Sequence, residues 1–195
     1  AMAARAVAGE TLVALQAGDV SLRDDWQQLI DVTMEAVQSA SDRLGVTLGP
    51  EHNCGESTYR GDLQGIIDHL ESANLTRVDQ GALVVDFPNR KRPLLVRKSD
   101  GGFLYATTDL AAIRRRTQDT GAIRCIYVVD ARQKDHFRDV FDAAHQAGWG
   151  CTQAGHNVEL LHAAFGSVLG VDKRPLKTRS GTGATLTGLL DEAIE

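Results

Sequence analysis

The segment from 123 to 166 constrains the fold more than any other. It reads as an apolar run "RCIYVVDA", a helical stretch with Phe137, Val140, Phe141 and Ala144 on one face, and a second apolar run "NVELLHAAFG". Runs that are apolar throughout are expected to be strands buried on both faces. A helix between two such strands is the crossover of a parallel pair, with helices packed outside the sheet. The expected fold class is therefore α/β with a parallel sheet. In such sheets ligands bind at the carboxyl ends of the strands.

The rest of the chain is organised around that unit. Residues 2–17, rich in Ala, Leu and Val and followed by Gly18, predict a helix with a glycine stop. Trp26, Leu29, Ile30, Thr33, Met34, Val37 and Leu44 recur at helical spacing and predict a helix over 22–44. An irregular connection follows at 45–57. Leu63, Ile66, Ile67 and Leu70 mark a third helix. "LTRVDQGALVVDF" and "LLVRKSDGGFLYAT" each place two apolar runs around a turn, at Asp79-Gln80-Gly81 and Ser99-Asp100-Gly101-Gly102, and predict hairpins. A helix is expected over about 109–118. After the second apolar run of the βαβ unit come a loop, "VDKRPLKTRSGTG", and a last helix, "LTGLLDEAIE". The expected division is a helical segment at 1–74, a β-hairpin segment at 75–104, and a sheet-forming segment at 105–195.

With 195 residues, 43% of them apolar, a hydrophobic core is within reach, and a net charge of −5 argues against broad nucleic-acid binding by the whole surface. Local basic runs stand at 89–93, 114–116 and 177–179. The three cysteines, Cys54, Cys125 and Cys151, show no metal-ligand spacing and read as free thiols. No metal site is expected from them. No run nears the ~18 apolar residues of a membrane span. No signal peptide is visible, so the expected location is cytoplasmic.

Three polar clusters fall at strand ends. In "GGFLYATTDLAAIRRR", Tyr105 and Asp109 stand four apart with only small residues between them. Asp109 reads either as a helix N-cap or, with Tyr105, as a partner for a cationic ligand; a guanidinium asks for a carboxylate and further acceptors. In "DARQKDH", Gln133 reads as a surface residue or as a neutral partner for the same ligand. Asp130 reads as a cap or as another partner, and His136 as packing or as a platform for a base. "LKTRSGTG" reads as a solvated loop or as a phosphate-holding one. The arginine run at 114–116 reads as a solvated helix end.

Together and in this order, these segments resemble the arginyl-tRNA synthetases, a family of class I aminoacyl-tRNA synthetases. The resemblance is carried by "LGVTL" and "CGESTY" at 44–59, "SDGGFLYATTDLAA" at 99–112, "IYVVDARQKDHF" at 126–137, "HAAFGSVLG" at 162–170, "PLKTRSGTGATL" at 175–186 and "LLDEA" at 189–193. It implies part of a Rossmann-like nucleotide-binding domain with a helical and β-hairpin insert. It implies that Tyr105, Asp109 and Gln133 bind the substrate arginine. His136, Phe165, Gly166, Lys177 and Thr178 would lie at the ATP site. Lys177, Thr178 and Arg179 match the family's version of the KMSKS loop, so Lys177 and Arg179 are its catalytic candidates. The implied reaction activates L-arginine with ATP, accompanied by Mg²⁺, and passes it to tRNA(Arg).

The six histidines contain no H-x-G-H pair, the family's other signature. The resemblance is thus to the later part of a catalytic domain. The isolated chain is expected to lack aminoacylation activity. A stand-alone arginine- or nucleotide-binding module is the alternative.

Overall fold

A computed structural model of the chain describes residues 7, 8, 11, 14, 15, 19–166 and 186–194, without the side chains of 189 and 192–194. The expected helix at 2–17 lies largely outside the described residues, and the expected loop at 171–183 wholly so. The chain divides into two units, Ala1–Asn53 with Ser180–Glu195, and Cys54–Arg179.

The first unit is built on α1, Val20–Arg43. The Asp19 carboxylate accepts from the Leu22 backbone N–H at 3.0 Å and caps the helix start. At the other end Gly45 takes φ +68°, and the N–H groups of Gly45 and Val46 return to the carbonyls of Asp42 and Ser41. That is how a glycine closes a helix. The expected apolar stripe is only partly covered: Trp26, Ile30 and Met34 are half-buried, Leu29 and Val37 are exposed, and of this helix only Ala40 is buried. A short helix, α5, runs Leu186–Ile194, and Asp191 on it accepts from Arg43 at 2.7 Å.

The second unit carries the core. A 3₁₀ stretch, Glu56–Asp62, leads into α2, Leu63–Ser72, whose Leu63, Ile66, Ile67 and Leu70 are all buried. The spacing that predicted this helix is the face it buries. Strands β1 (Thr76–Asp79), β2 (Ala82–Val85) and β3 (Leu94–Arg97) form an antiparallel sheet in that order. Asp79 pairs with Ala82 across a two-residue turn in which Gln80 and Gly81 both have positive φ, as a tight hairpin of this length requires. The second expected hairpin is reduced to one bridge, Arg97 to Phe103, because the chain turns into helix at once.

That helix, α3, spans Tyr105–Arg114 and ends in a π-helical turn, Arg115–Asp119. It starts four residues earlier than expected. Then come β4 (Arg124–Asp130), α4 (Lys134–Gln146) and β5 (Glu159–Phe165), with β4 and β5 paired in parallel from Arg124↔Glu159 to Asp130↔Phe165. The βαβ unit is as expected, and the fold is α/β. Its strands are covered on one face only. Tyr127 packs against Phe137 and Phe141 of α4, whereas Ile126 and Val128 are 53% and 66% exposed.

The core joins α2, α3, α4 and the hairpin sheet: Ile66, Ile67, Leu70, Leu110, Ile113, Val85, Val96 and Val140 are fully enclosed. Among the described residues no helix is long and apolar enough to cross a membrane.

Candidate functional site

The residue before α3, Leu104, is extended (φ −120°, ψ 166°) and Tyr105 is already helical. Asp109 therefore stands a full turn inside the helix and is not its N-cap. At i and i+4, Tyr105 and Asp109 share a face of α3. Two of the small residues between them face the core. Ala106 and Thr107 are buried, and the Thr107 hydroxyl donates to the Val96 carbonyl of β3. They are small because α3 lies close against the hairpin sheet. With that face turned inward, Tyr105 projects outward, 72% exposed.

Asp109 has a partner that its sequence neighbourhood does not show. Nε2 of His136, in the first turn of α4, lies 2.7 Å from Asp109 Oδ2. The pair is partly buried, with about a third of the His136 side chain and a quarter of the Asp109 side chain exposed (32% and 28%). The imidazole also packs edge-on against Phe137 at 5.2 Å, which fixes its plane. One hydrogen bond to one carboxylate oxygen leaves Oδ1 and its lone pairs open. Beneath the pair, burial pushes the Tyr127 phenol up to about 12 against the pull of the Arg116 guanidinium, and the Asp109 charge adds a smaller push.

The other expected residues gather at the carboxyl edge of the parallel pair. The Asp130 side chain accepts from the Arg132 backbone N–H at 2.8 Å and caps the 3₁₀ turn Ala131–Gln133. Of the two readings of Asp130, the cap is realised. Gln133 is the residue before α4 and is exposed, without a side-chain cap bond. Phe165 pairs in register with Asp130 and is 51% exposed, with Gly166 next. His162 Nε2 reaches the Val129 carbonyl at 3.2 Å, and its ring stacks on Phe137 at 5.5 Å. The α4 start is thereby held over the ends of both strands. Lys177, Thr178 and Arg179 lie outside the described residues.

Tyr105 and His136 also line a cleft of about 620 Å³ whose far wall is the hairpin sheet. Val84, Leu94 and Leu104 give it an apolar wall, and Asp79, Gln80 and Arg92 stand along it. Sequence reasoning missed these three polar residues. The available signals were the Asp79-Gln80-Gly81 turn and the basic run at 89–93 that contains Arg92, and both were silent about what faces them. Among the described residues no cluster of three or more His, Cys, Asp or Glu could hold a metal ion.

A family model described as tRNA synthetases class I (R), catalytic domain, matches residues 2–195. The chain is 47% identical over 188 residues to an arginine–tRNA ligase of Frankia casuarinae, covering 93% of this chain and 31% of that protein. It is 44% identical over 182 residues to an arginine–tRNA ligase of Cutibacterium acnes, covering 93% and 32%. Among solved structures it resembles the arginyl-tRNA synthetase of Plasmodium falciparum, with a TM-score of 0.76 and 29% identity over 86% of this chain and 29% of that one. The chain thus spans about a third of the length of the curated relatives it matches.

Proposed function

We infer function from one premise: this chain belongs to the class I tRNA synthetases (R), within their catalytic domain. We propose that it serves the activation of L-arginine by ATP and the transfer of arginine to tRNA(Arg), and that its own part is the arginine pocket and one side of the ATP site. The observation that carries this reading is the Asp109 carboxylate. It shares a helix face with the exposed Tyr105, is held through one oxygen by His136, has no hydrogen bond to its other oxygen among the described residues, and both of these neighbours line a cleft.

The chemistry suits a guanidinium. Its planar fork of N–H donors finds an anionic acceptor in Asp109 and neutral ones in the Tyr105 hydroxyl and the Gln133 amide oxygen. His136 holds Asp109 in one rotamer, so less side-chain freedom is lost when arginine arrives. Phe165 and Gly166, at the end of β5, suit the adenine side, and His136 stands between the two substrates. Lys177, Thr178 and Arg179 supply the cationic loop for the triphosphate. The arginine carboxylate attacks the α-phosphate, pyrophosphate leaves, and fixed positive charge offsets the negative charge that builds on the phosphates. Mg²⁺ enters as the companion of ATP. The chain holds no H-x-G-H, so we propose that on its own it binds arginine and does not form the adenylate.

Calorimetric titration of the chain with L-arginine and with L-citrulline tests this reading. Citrulline keeps the shape and replaces the guanidinium with a neutral urea. Saturable heat with arginine and none with citrulline is the expected outcome. Equal binding of both, or of neither, would remove the guanidinium pocket from the account.

A further inference from the structure

The run Arg114–Arg115–Arg116 has no part in the arginine-binding reading, and it does not end in a simple solvated terminus. At Arg115 the chain widens into the π-helical turn Arg115–Asp119, a winding often found at functional sites. The turn sets the Arg115 guanidinium 5.9 Å from the centre of the buried Tyr59 ring. Arg116, half-buried, donates from Nη1 to the Tyr127 hydroxyl at 2.9 Å and lies 5.4 Å from that ring's centre.

Neither guanidinium has a carboxylate within ion-pair distance among the described residues. Arg77, Arg90, Arg124, Arg132 and Arg138 each have one. A guanidinium carries five N–H donors, and the one described hydrogen bond of Arg116 goes to a neutral phenol. Arg116 holds its charge partly out of water without a carboxylate partner, beside the exposed and like-charged Arg115, and an anion shared by the two offsets both the desolvation and the repulsion. The pocket already favours negative charge. Cys54 Sγ lies 3.2 Å from the Tyr59 hydroxyl. That hydrogen bond holds the Cys54 thiol below its ordinary value against the opposing effect of desolvation, with smaller help from Thr58 and then from the charges of Arg115 and Arg116.

We propose that Arg115 and Arg116 form an oxyanion site whose ligand is a phosphate group, either a free phosphate or a phosphodiester of RNA. Adjacent guanidinium forks match the several oxygens and the charge of phosphate better than those of a single carboxylate. The site shares no residue with Tyr105, Asp109 and Gln133 and does not rest on the reading given to them.

Cys54 is a built-in reporter. It is exposed, as is Cys151, which serves as reference in the same sample, while Cys125 is buried. The test measures carboxamidomethylation rates of both thiols in the intact chain by peptide mass spectrometry, at constant ionic strength set with chloride. The thiolate is the reacting species, so an anion on the arginines is expected to slow Cys54 about threefold or more relative to Cys151. One arm adds inorganic phosphate, the other a tRNA. Protection by phosphate alone assigns the site to free phosphate, and protection by tRNA at concentrations where phosphate is without effect assigns it to RNA. In an Arg115→Gln/Arg116→Gln variant the protection is expected to vanish. A Cys54 to Cys151 ratio that neither ligand moves in the unmodified chain would overturn the proposal, whatever the variant does.

Discussion

Replacing Asp109 with asparagine is expected to weaken arginine binding about a hundredfold or more, the loss that follows when one member of a partly buried, hydrogen-bonded charge pair is neutralised. The substitution is close to isosteric. The asparagine amide oxygen can still accept from His136 Nε2, so the contact at 2.7 Å between α3 and α4 survives. The negative charge is lost, and the oxygen offered to the guanidinium becomes an N–H₂ donor. Thermal unfolding should therefore change little while arginine affinity collapses, and calorimetry and a melting curve on the same preparation separate the two. A variant that binds arginine as before would mean that the guanidinium is held elsewhere. A variant that melts much earlier would mean that Asp109 serves the fold through its pairing with His136.

The second large effect is on stability. Arg90, in the loop between β2 and β3, donates to Asp139 at 2.6 Å and to Asp142, and its guanidinium lies 4.4 Å from the centre of the Phe87 ring. The Asp139 side chain is only 4% exposed. Arg138 also reaches it, at 3.1 Å, but is itself half-exposed. Replacing Arg90 with methionine keeps the stem and leaves a buried carboxylate short of its counter-charge, at an expected cost of about 3 kcal/mol. The Arg90→Met/Asp139→Asn double variant should cost less than the single one, because it no longer buries that charge. Denaturant unfolding of the two variants checks both statements. A single variant that unfolds at the original midpoint would show that Arg138 alone neutralises Asp139. Since Asp139 lies one turn beyond His136 on α4, loosening this clamp also loosens the hold on Asp109.

Much of this architecture is legible in the sequence, and the physical reasons are specific. The spacing of Leu63, Ile66, Ile67 and Leu70 is the buried face of α2 because a helix packed on one side repeats at that period. Asp79-Gln80-Gly81 marks the hairpin because positive φ at two successive residues favours such residue types. The parallel pairing of β4 and β5 follows from two apolar strands joined by one helix. The helix start at Tyr105 was less legible. Phe103-Leu104-Tyr105 reads as a short apolar strand, and burial of Ala106 and Thr107 against the sheet draws the chain into helix earlier.

At the site, Tyr105 and Asp109 could be paired from their i, i+4 spacing. The contact of Asp109 with His136, 27 residues on, could not, because only the packing of α4 on α3 creates it. The resemblance placed His136 with ATP and Asp109 with arginine, and the fold puts the two side chains in contact. The same limit hid Arg115 and Arg116. In one dimension they look like the solvated end of a helix. The half-buried position of Arg116 against Tyr127, and that of the exposed Arg115 over Tyr59, depend on a π-helical turn and on two distant segments.

The central claim is that the open side of the Asp109–His136 pair receives the guanidinium of arginine. The imidazole nitrogens of the six histidines, followed by ¹H–¹⁵N correlation spectra while L-arginine is added, test it most directly. His136 touches the proposed anchor through Nε2, so its signals should move with arginine occupancy and stay still with citrulline, while those of His52 and His156 remain unchanged. Saturable arginine binding that leaves the His136 nitrogens unmoved would contradict the account.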